Sequence, residues 1–228
     1  MANKYAPKAL NDFVFYNDET EYTIRAIVSG EYAIPEQGTT GLMFYGPAGT
    51  GKTALANLLP DLIEQAHGGD QALIEFYNCG EGNDDGAAMI KNINAKLDKT
   101  PLSSSGISFY VLDEVDHLSK KTMLALKGIL NNKRSLFILT TNNISRIDPV
   151  LLDRCLRLPF LQAPAEKWVP LARRIATDFG LPDLDESALL DVCRQSEGSA
   201  RELYRRIQRT AITVKASTAK LLANATAA

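Results

Sequence analysis

Apolar residues in this chain gather into five short runs, 41–45, 72–77, 107–112, 136–140 and 156–160, each five or six residues long and mostly unbroken by charge. Runs of that length that are apolar throughout, rather than alternating, predict strands of a parallel sheet buried on both faces. Between them the apolar positions recur at helical spacing, predicting helices near 19–29, from Lys52 through 59, over 87–97, over 119–130 with Ser119 as N-cap, and a short one from Asp148-Pro149 to Leu152. Alternation of strand and helix points to an α/β domain over 1–160. Past Pro159 and Pro164 no further strand pattern occurs. Three helices are predicted instead, over 165–179, 185–196 and 199–214, with Trp168, Leu171, Ile175, Leu189, Leu190, Leu203 and Ile207 as their shared core. These make a small all-α domain over 161–215, followed by an alanine-rich, weakly helical tail over 216–228. At the other end, Phe13, Val14 and Tyr16 read as anchors of an N-terminal arm, with contact to a nucleotide base as the alternative.

The first of these runs leads into Gly46-Pro47-Ala48-Gly49-Thr50-Gly51-Lys52-Thr53, which fits the phosphate-binding pattern G-x-x-x-x-G-K-[ST]. Glycines at 46, 49 and 51 let successive backbone N–H groups turn onto phosphate oxygens, and the helix that starts near Lys52 directs its positive end at them. Lys52 is placed to reach the β- and γ-phosphates and the Thr53 hydroxyl to ligate Mg²⁺. Apolar strand, glycine loop and helix follow one another in the order this chemistry needs, so ATP and Mg²⁺ are the expected ligands. A second landmark closes the third run, where an apolar strand turns abruptly acidic at Asp113-Glu114. Carboxylates at the carboxyl edge of a parallel sheet stand where α/β folds bind ligands. Asp113 is expected to hold Mg²⁺ and Glu114 to polarise the attacking water. Asn142, just past the fourth run, has an amide able to orient that water.

Composition narrows the setting. The chain has 228 residues, of which 45% are hydrophobic and 23% charged, enough for a substantial core. No apolar run approaches the roughly 20 residues of a membrane span, and the N-terminal residues lack the apolar core of a signal peptide, so no membrane role and a cytoplasmic location are expected. Cys79, Cys155 and Cys193 are odd in number and far apart, which argues for buried thiols over a disulfide framework or a four-cysteine zinc site. The acidic stretch 81–86 lacks the ligand spacing of a calcium loop and reads as an exposed connection. A net charge of −2 argues against coating of nucleic acid by bulk charge. Lys120, Lys121, Lys127, Lys133 and Arg134 form a local basic group, read first as solvated helix charges and second as a phosphate-tracking surface.

Taken together, the Gly46–Thr53 loop, Val111-Leu112-Asp113-Glu114-Val115-Asp116, the strand running into Thr141-Asn142 and the later Gly198-Ser199-Ala200-Arg201 resemble the AAA+ ATPase family. Within it, Lys4-Tyr5-Ala6-Pro7-Lys8, Phe137 to Asn143 and Asp153-Arg154-Cys155 are similar to sliding-clamp loader small subunits of the replication factor C type. The resemblance covers residues 4 to about 210. It implies a P-loop NTPase (AAA+) fold, a parallel sheet flanked by helices with a small all-α lid, and ATP hydrolysis dependent on oligomerisation. By it Asn142 is the first sensor, Arg201 a second sensor carried by the lid, and Arg154 an arginine finger given to a neighbour's nucleotide. Asn78 resembles the polar residue that holds Glu114 away from the water. Implied partners are other copies of the chain or related AAA+ subunits, DNA, and a clamp or other protein cargo. Ala6 and Asp153 stand where the family usually has Arg and Ser, and the chain is expected to lack the C-terminal collar of clamp loaders. Two classes of function stay open: an assembled ATPase acting on DNA, or a nucleotide-gated scaffold or regulator such as a helicase loader, transposition regulator or defence-complex motor.

Overall fold

The computed structural model describes residues 4–36, 38–80 and 86–226, so most of the acidic stretch that begins at Glu81 lies outside the described residues. The chain divides into two compact units, Met1–Leu161 and Gln162–Ala228. In the first, β1 (Gly41–Tyr45), β2 (Ile74–Asn78), β3 (Ser108–Asp113), β4 (Ser135–Thr141) and β5 (Cys155–Pro159) form one sheet, with helices α1 (Asp18–Ser29), α2 (Lys52–Ala66), α3 (Gly86–Leu97), α4 (Lys120–Ile129) and α5 (Pro149–Leu152) between them. The strand order is β2-β3-β4-β1-β5, and every pairing is parallel.

Successive strand residues point to opposite faces, and that alternation splits the core in two. Leu42 and Phe44 of β1 join Val111 and Ile138 beneath Ile24 and Ile27 of α1 and Leu55, Leu59 and Ile63 of α2. Met43, Tyr110, Leu112, Phe137 and Leu139 face the other way, onto Met89 and Ile93 of α3 and Met123, Leu126 and Ile129 of α4. β4 is buried along its whole length, which explains why its sequence reads as unbroken hydrophobicity. α2 runs past the predicted end at 59 and through Pro60 to Ala66. Its buried stripe Leu55, Leu59, Ile63 continues beyond the proline, and burying Ile63 and closing the turn offset a cost of about 3 kcal/mol for proline inside a helix. Side-chain caps start four helices: Asn17 Oδ1 accepts from Thr20 N–H, Ser119 Oγ from Thr122, Asp148 Oδ1 from Val150 and Asp185 Oδ1 from Ala188.

The N-terminal arm corrects one expectation. Tyr16 is 39% exposed and is no anchor, whereas Phe15, which the sequence reading passed over, is buried. Its ring lies 6.2 Å from that of Phe160, which in turn lies 5.0 Å from Phe44, so the arm is tied to β1 and β5 through an aromatic chain. Phe13 packs half-buried at the edge of the same cluster.

The second unit is built from α6 (Ala165–Asp178), α7 (Glu186–Gln195) and α8 (Ala200–Thr226). Trp168, Ile175, Leu189, Leu203 and Ile207 are buried as expected, while Leu171 and Leu190 are half-buried at the margin. α8 runs twelve residues beyond the predicted 214, because neither glycine nor proline interrupts the alanine-rich sequence there. Among the described residues no helix is long and apolar enough to cross a membrane.

All three cysteines are buried thiols outside any disulfide. Burial pushes the Cys155 thiol up to about 12 and, with the Glu166 carboxylate adding to it, the Cys193 thiol up to about 11. Thiolate is the reactive form, so at pH 8 the native protein is expected to leave both unlabelled by a disulfide-exchange reagent and to release them only on unfolding. Rapid native labelling of either would contradict their placement.

Candidate nucleotide site

β1 delivers the chain to the glycine loop at the carboxyl edge of the sheet. Gly46 has φ 147°, and a Cβ there would lie 2.1 Å from the carbonyl oxygen of Phe160, so no other residue fits where β5 leaves the sheet. Gly46 N–H donates to the Thr141 carbonyl at 3.3 Å, tying the loop to the end of β4. Gly51, with φ 99°, opens α2 in the left-handed region. Lys52 is buried, and its Nζ donates to the carbonyl oxygens of Gly46 at 2.8 Å and Pro47 at 2.7 Å, closing the loop around an ammonium. The Thr50 hydroxyl donates to Pro47 O at 3.0 Å.

β3 brings the carboxylates to the same edge. Asp113 Oδ1 accepts from the Thr53 hydroxyl at 2.7 Å, joining the third strand to the first turn of α2. The same oxygen accepts from Thr140 Oγ at 2.5 Å, and Thr140 Oγ accepts in turn from Glu114 N–H at 3.0 Å. Glu114 has φ 59° and ψ 46°, a left-handed conformation that costs a non-glycine residue about 1 kcal/mol or more and is found where function holds it. Asn142 follows β4 with an exposed side chain, and its N–H donates to Asp116 Oδ1 at 3.4 Å.

The structure thus brings together the Gly46–Thr53 loop, Asp113, Glu114 and Asn142 at the ends of β1, β3 and β4. It does not bring Arg154 there. Arg154 precedes β5, and the register Gly41↔Cys155 to Tyr45↔Pro159 puts it at the start of the strands, a five-residue strand or about 16 Å from the loop that follows β1. Its carbonyl accepts from Thr40 and Gly41 N–H. Arg201 lies exposed in the first turn of α8, in the other unit. Sequence reasoning missed Thr140, whose only signal was a hydroxyl near the end of an apolar strand, and Phe160, whose carbonyl gave none.

The donor set suits a magnesium nucleotide. A threonine hydroxyl and a carboxylate oxygen held 2.7 Å apart are hard ligands of the kind Mg²⁺ takes alongside water and phosphate oxygens. Among the described residues no group of three or more His, Cys, Asp or Glu side chains converges as an all-protein metal cage would need. The left-handed glycines at 46, 49 and 51 and the start of α2 supply a backbone cradle for phosphate.

The chain is similar to known proteins. Residues 42–162 match the family described as the ATPase family associated with various cellular activities (AAA). The chain is 30% identical over 225 residues to replication factor C subunit 4 of Caenorhabditis elegans, covering 93% of this chain and 63% of that protein. It is 32% identical over 203 residues to the replication factor C small subunit of Picrophilus torridus, covering 87% of this chain and 60% of the relative. The chain therefore spans less than two thirds of these curated relatives. Among solved structures, the Thermotoga maritima RuvB Holliday junction branch migration motor superposes with a TM-score of 0.71 at 14% identity, covering 94% of this chain and 67% of that one, a likeness of fold.

Proposed function

The chain belongs to the ATPase family associated with various cellular activities, and from that premise we propose that it is a Mg²⁺-dependent ATP-hydrolysing subunit that works only when assembled with other copies or related subunits, and that acts on DNA in the manner of a clamp loader. The observation that carries the reading is the Thr53–Asp113 contact at 2.7 Å above a loop closed around Lys52, since it joins both phosphate-handling landmarks into one site. In this reading Lys52 and the loop N–H groups hold the β- and γ-phosphates, while Thr53 and Asp113 hold the metal. Bound Mg²⁺ supplies charge neutralisation between those phosphates. Glu114 accepts a proton as the water oxygen attacks the γ-phosphorus and the bond to the β–γ bridging oxygen breaks. Asn142 orients the water. Arg154 cannot serve its own loop from the opposite edge of the sheet, which favours service to a neighbour's nucleotide, and Arg201 keeps the second-sensor role that the family resemblance implies. Likeness to replication factor C subunits is what supports DNA as the partner.

The test is the ATPase rate per subunit as protein concentration is raised, with and without duplex or primed DNA. A rate that climbs with concentration and again with DNA is expected. A rate indifferent to DNA, with ATP driving assembly, would favour a nucleotide-gated scaffold, and a rate independent of concentration would remove the dependence on assembly.

A further inference from the structure

Near the end of β4 a hydroxyl is buried where packing alone asks only for an apolar side chain. Thr140 is 1% exposed, stands in register with Phe44 of β1, and comes one residue after the Leu112↔Leu139 pair with β3. Strand alternation turns it to the same face as Ile138, the face that α2 covers, and turns Asp113 to that face alongside Val111. Valine would fill the same space without taking a hydroxyl out of water, and a buried hydroxyl must find partners. Thr140 finds two, both at the acidic end of β3. Its hydroxyl donates to Asp113 Oδ1 at 2.5 Å, and its oxygen accepts from Glu114 N–H at 3.0 Å.

These bonds form one chain, from Glu114 N–H to Thr140, from Thr140 to Asp113 Oδ1, with Thr53 donating to that same oxygen at 2.7 Å. The two carboxylate residues depend on Thr140 unequally. Without it Asp113 keeps Thr53. Glu114 N–H has no other hydrogen-bond acceptor among the described residues, and its backbone, at φ 59° and ψ 46°, is in a conformation that a residue with a side chain keeps only when its neighbours hold it. We propose that Thr140 is a positioning residue of the hydrolytic reaction: its hydroxyl fixes the left-handed turn from which Glu114 is presented and orients Asp113 at the same time. The proposal rests on the reading of Glu114 as the base and Asp113 as a holder of the metal. Losing the hydroxyl falls on the chemical step more than on binding, because the bonds from Lys52 to Gly46 and Pro47 that close the loop do not pass through Thr140.

Thr140→Val keeps the shape of the side chain and removes both donor and acceptor. In the full chain it is expected to lower kcat for ATP hydrolysis about 10- to 100-fold, the range that a slightly misplaced reacting group costs, with KM and the affinity for a fluorescent ATP analogue within about threefold. Thr140→Ser restores the hydroxyl without the methyl group and is expected to run at least about fivefold faster than Thr140→Val. A wild-type kcat in Thr140→Val overturns the positioning role, as does Thr140→Ser no faster than Thr140→Val, or a loss of affinity as large as the loss of kcat. Glu114→Gln with wild-type hydrolysis instead overturns the base itself, so the two failures are distinguishable. Amide hydrogen exchange in the nucleotide-free protein reads the contact apart from activity: the Glu114 amide is expected to exchange about tenfold faster or more in Thr140→Val than in wild type. A Glu114 amide that exchanges in the wild-type protein as fast as in an unstructured peptide overturns the proposal with no variant needed.

Discussion

Glu114→Gln is expected to slow ATP hydrolysis by about 10²- to 10⁴-fold, the span that a positioned general base contributes. Glutamine matches glutamate in size, and the backbone bond from Glu114 N–H to Thr140 survives the change. What is lost is the ability to take a proton from water. Thr53, Asp113 and the loop lie outside the substitution, and their mutual bond at 2.7 Å does not involve it, so the affinity for nucleotide is expected to stay within about twofold. Single-turnover phosphate release and equilibrium nucleotide binding separate the two effects. Loss of binding together with hydrolysis would mean that Glu114 supports the loop and not the chemistry.

Arg154→Ala is expected to cost still more in the assembled protein, about 10³- to 10⁵-fold, because a guanidinium that stabilises charge on the transferring phosphoryl group acts in the transition state. The structural reason to look for that action between copies is distance: Arg154 sits at the start of β5 and the loop at the end of β1. Mixing Arg154→Ala subunits with Glu114→Gln subunits provides the measurement. A contact between an Arg154→Ala site and a neighbour that still has its arginine restores a working pair, so mixtures are expected to hydrolyse ATP well above either variant alone. Mixtures no better than their components, with both variants folded and assembled, would place Arg154 among structural residues.

The strands and helices were legible because each is a local pattern. An apolar run is buried on both faces wherever it sits in a parallel sheet, and the runs fall within about two residues of the observed strands. The loop Gly46–Thr53 and the pair Asp113-Glu114 were legible for a related reason: the phosphate cradle and the strand-end carboxylates are each written in consecutive residues. Strand order was not. Nothing in the spacing of the runs says that β4 enters between β3 and β1, and from that insertion follow the bridge from Thr140 to Asp113, the tie from Gly46 to Thr141 and the placement of Asn142. Phe15 was passed over for Tyr16 because both are aromatic residues in one short arm. Only the partner, Phe160, more than 140 positions away, decides which ring is buried.

The placement of Arg154 at one rim of the sheet and the phosphate loop at the other gives each subunit a polarity. A contact that carries the arginine of one copy to the loop of the next is head-to-tail, using two different surfaces, and repeats from copy to copy with the same sense. Such a contact is not satisfied by a two-fold dimer. It closes only as a ring, and an open arc of any length keeps one loop with no arginine to complete it and one arginine with no loop to serve.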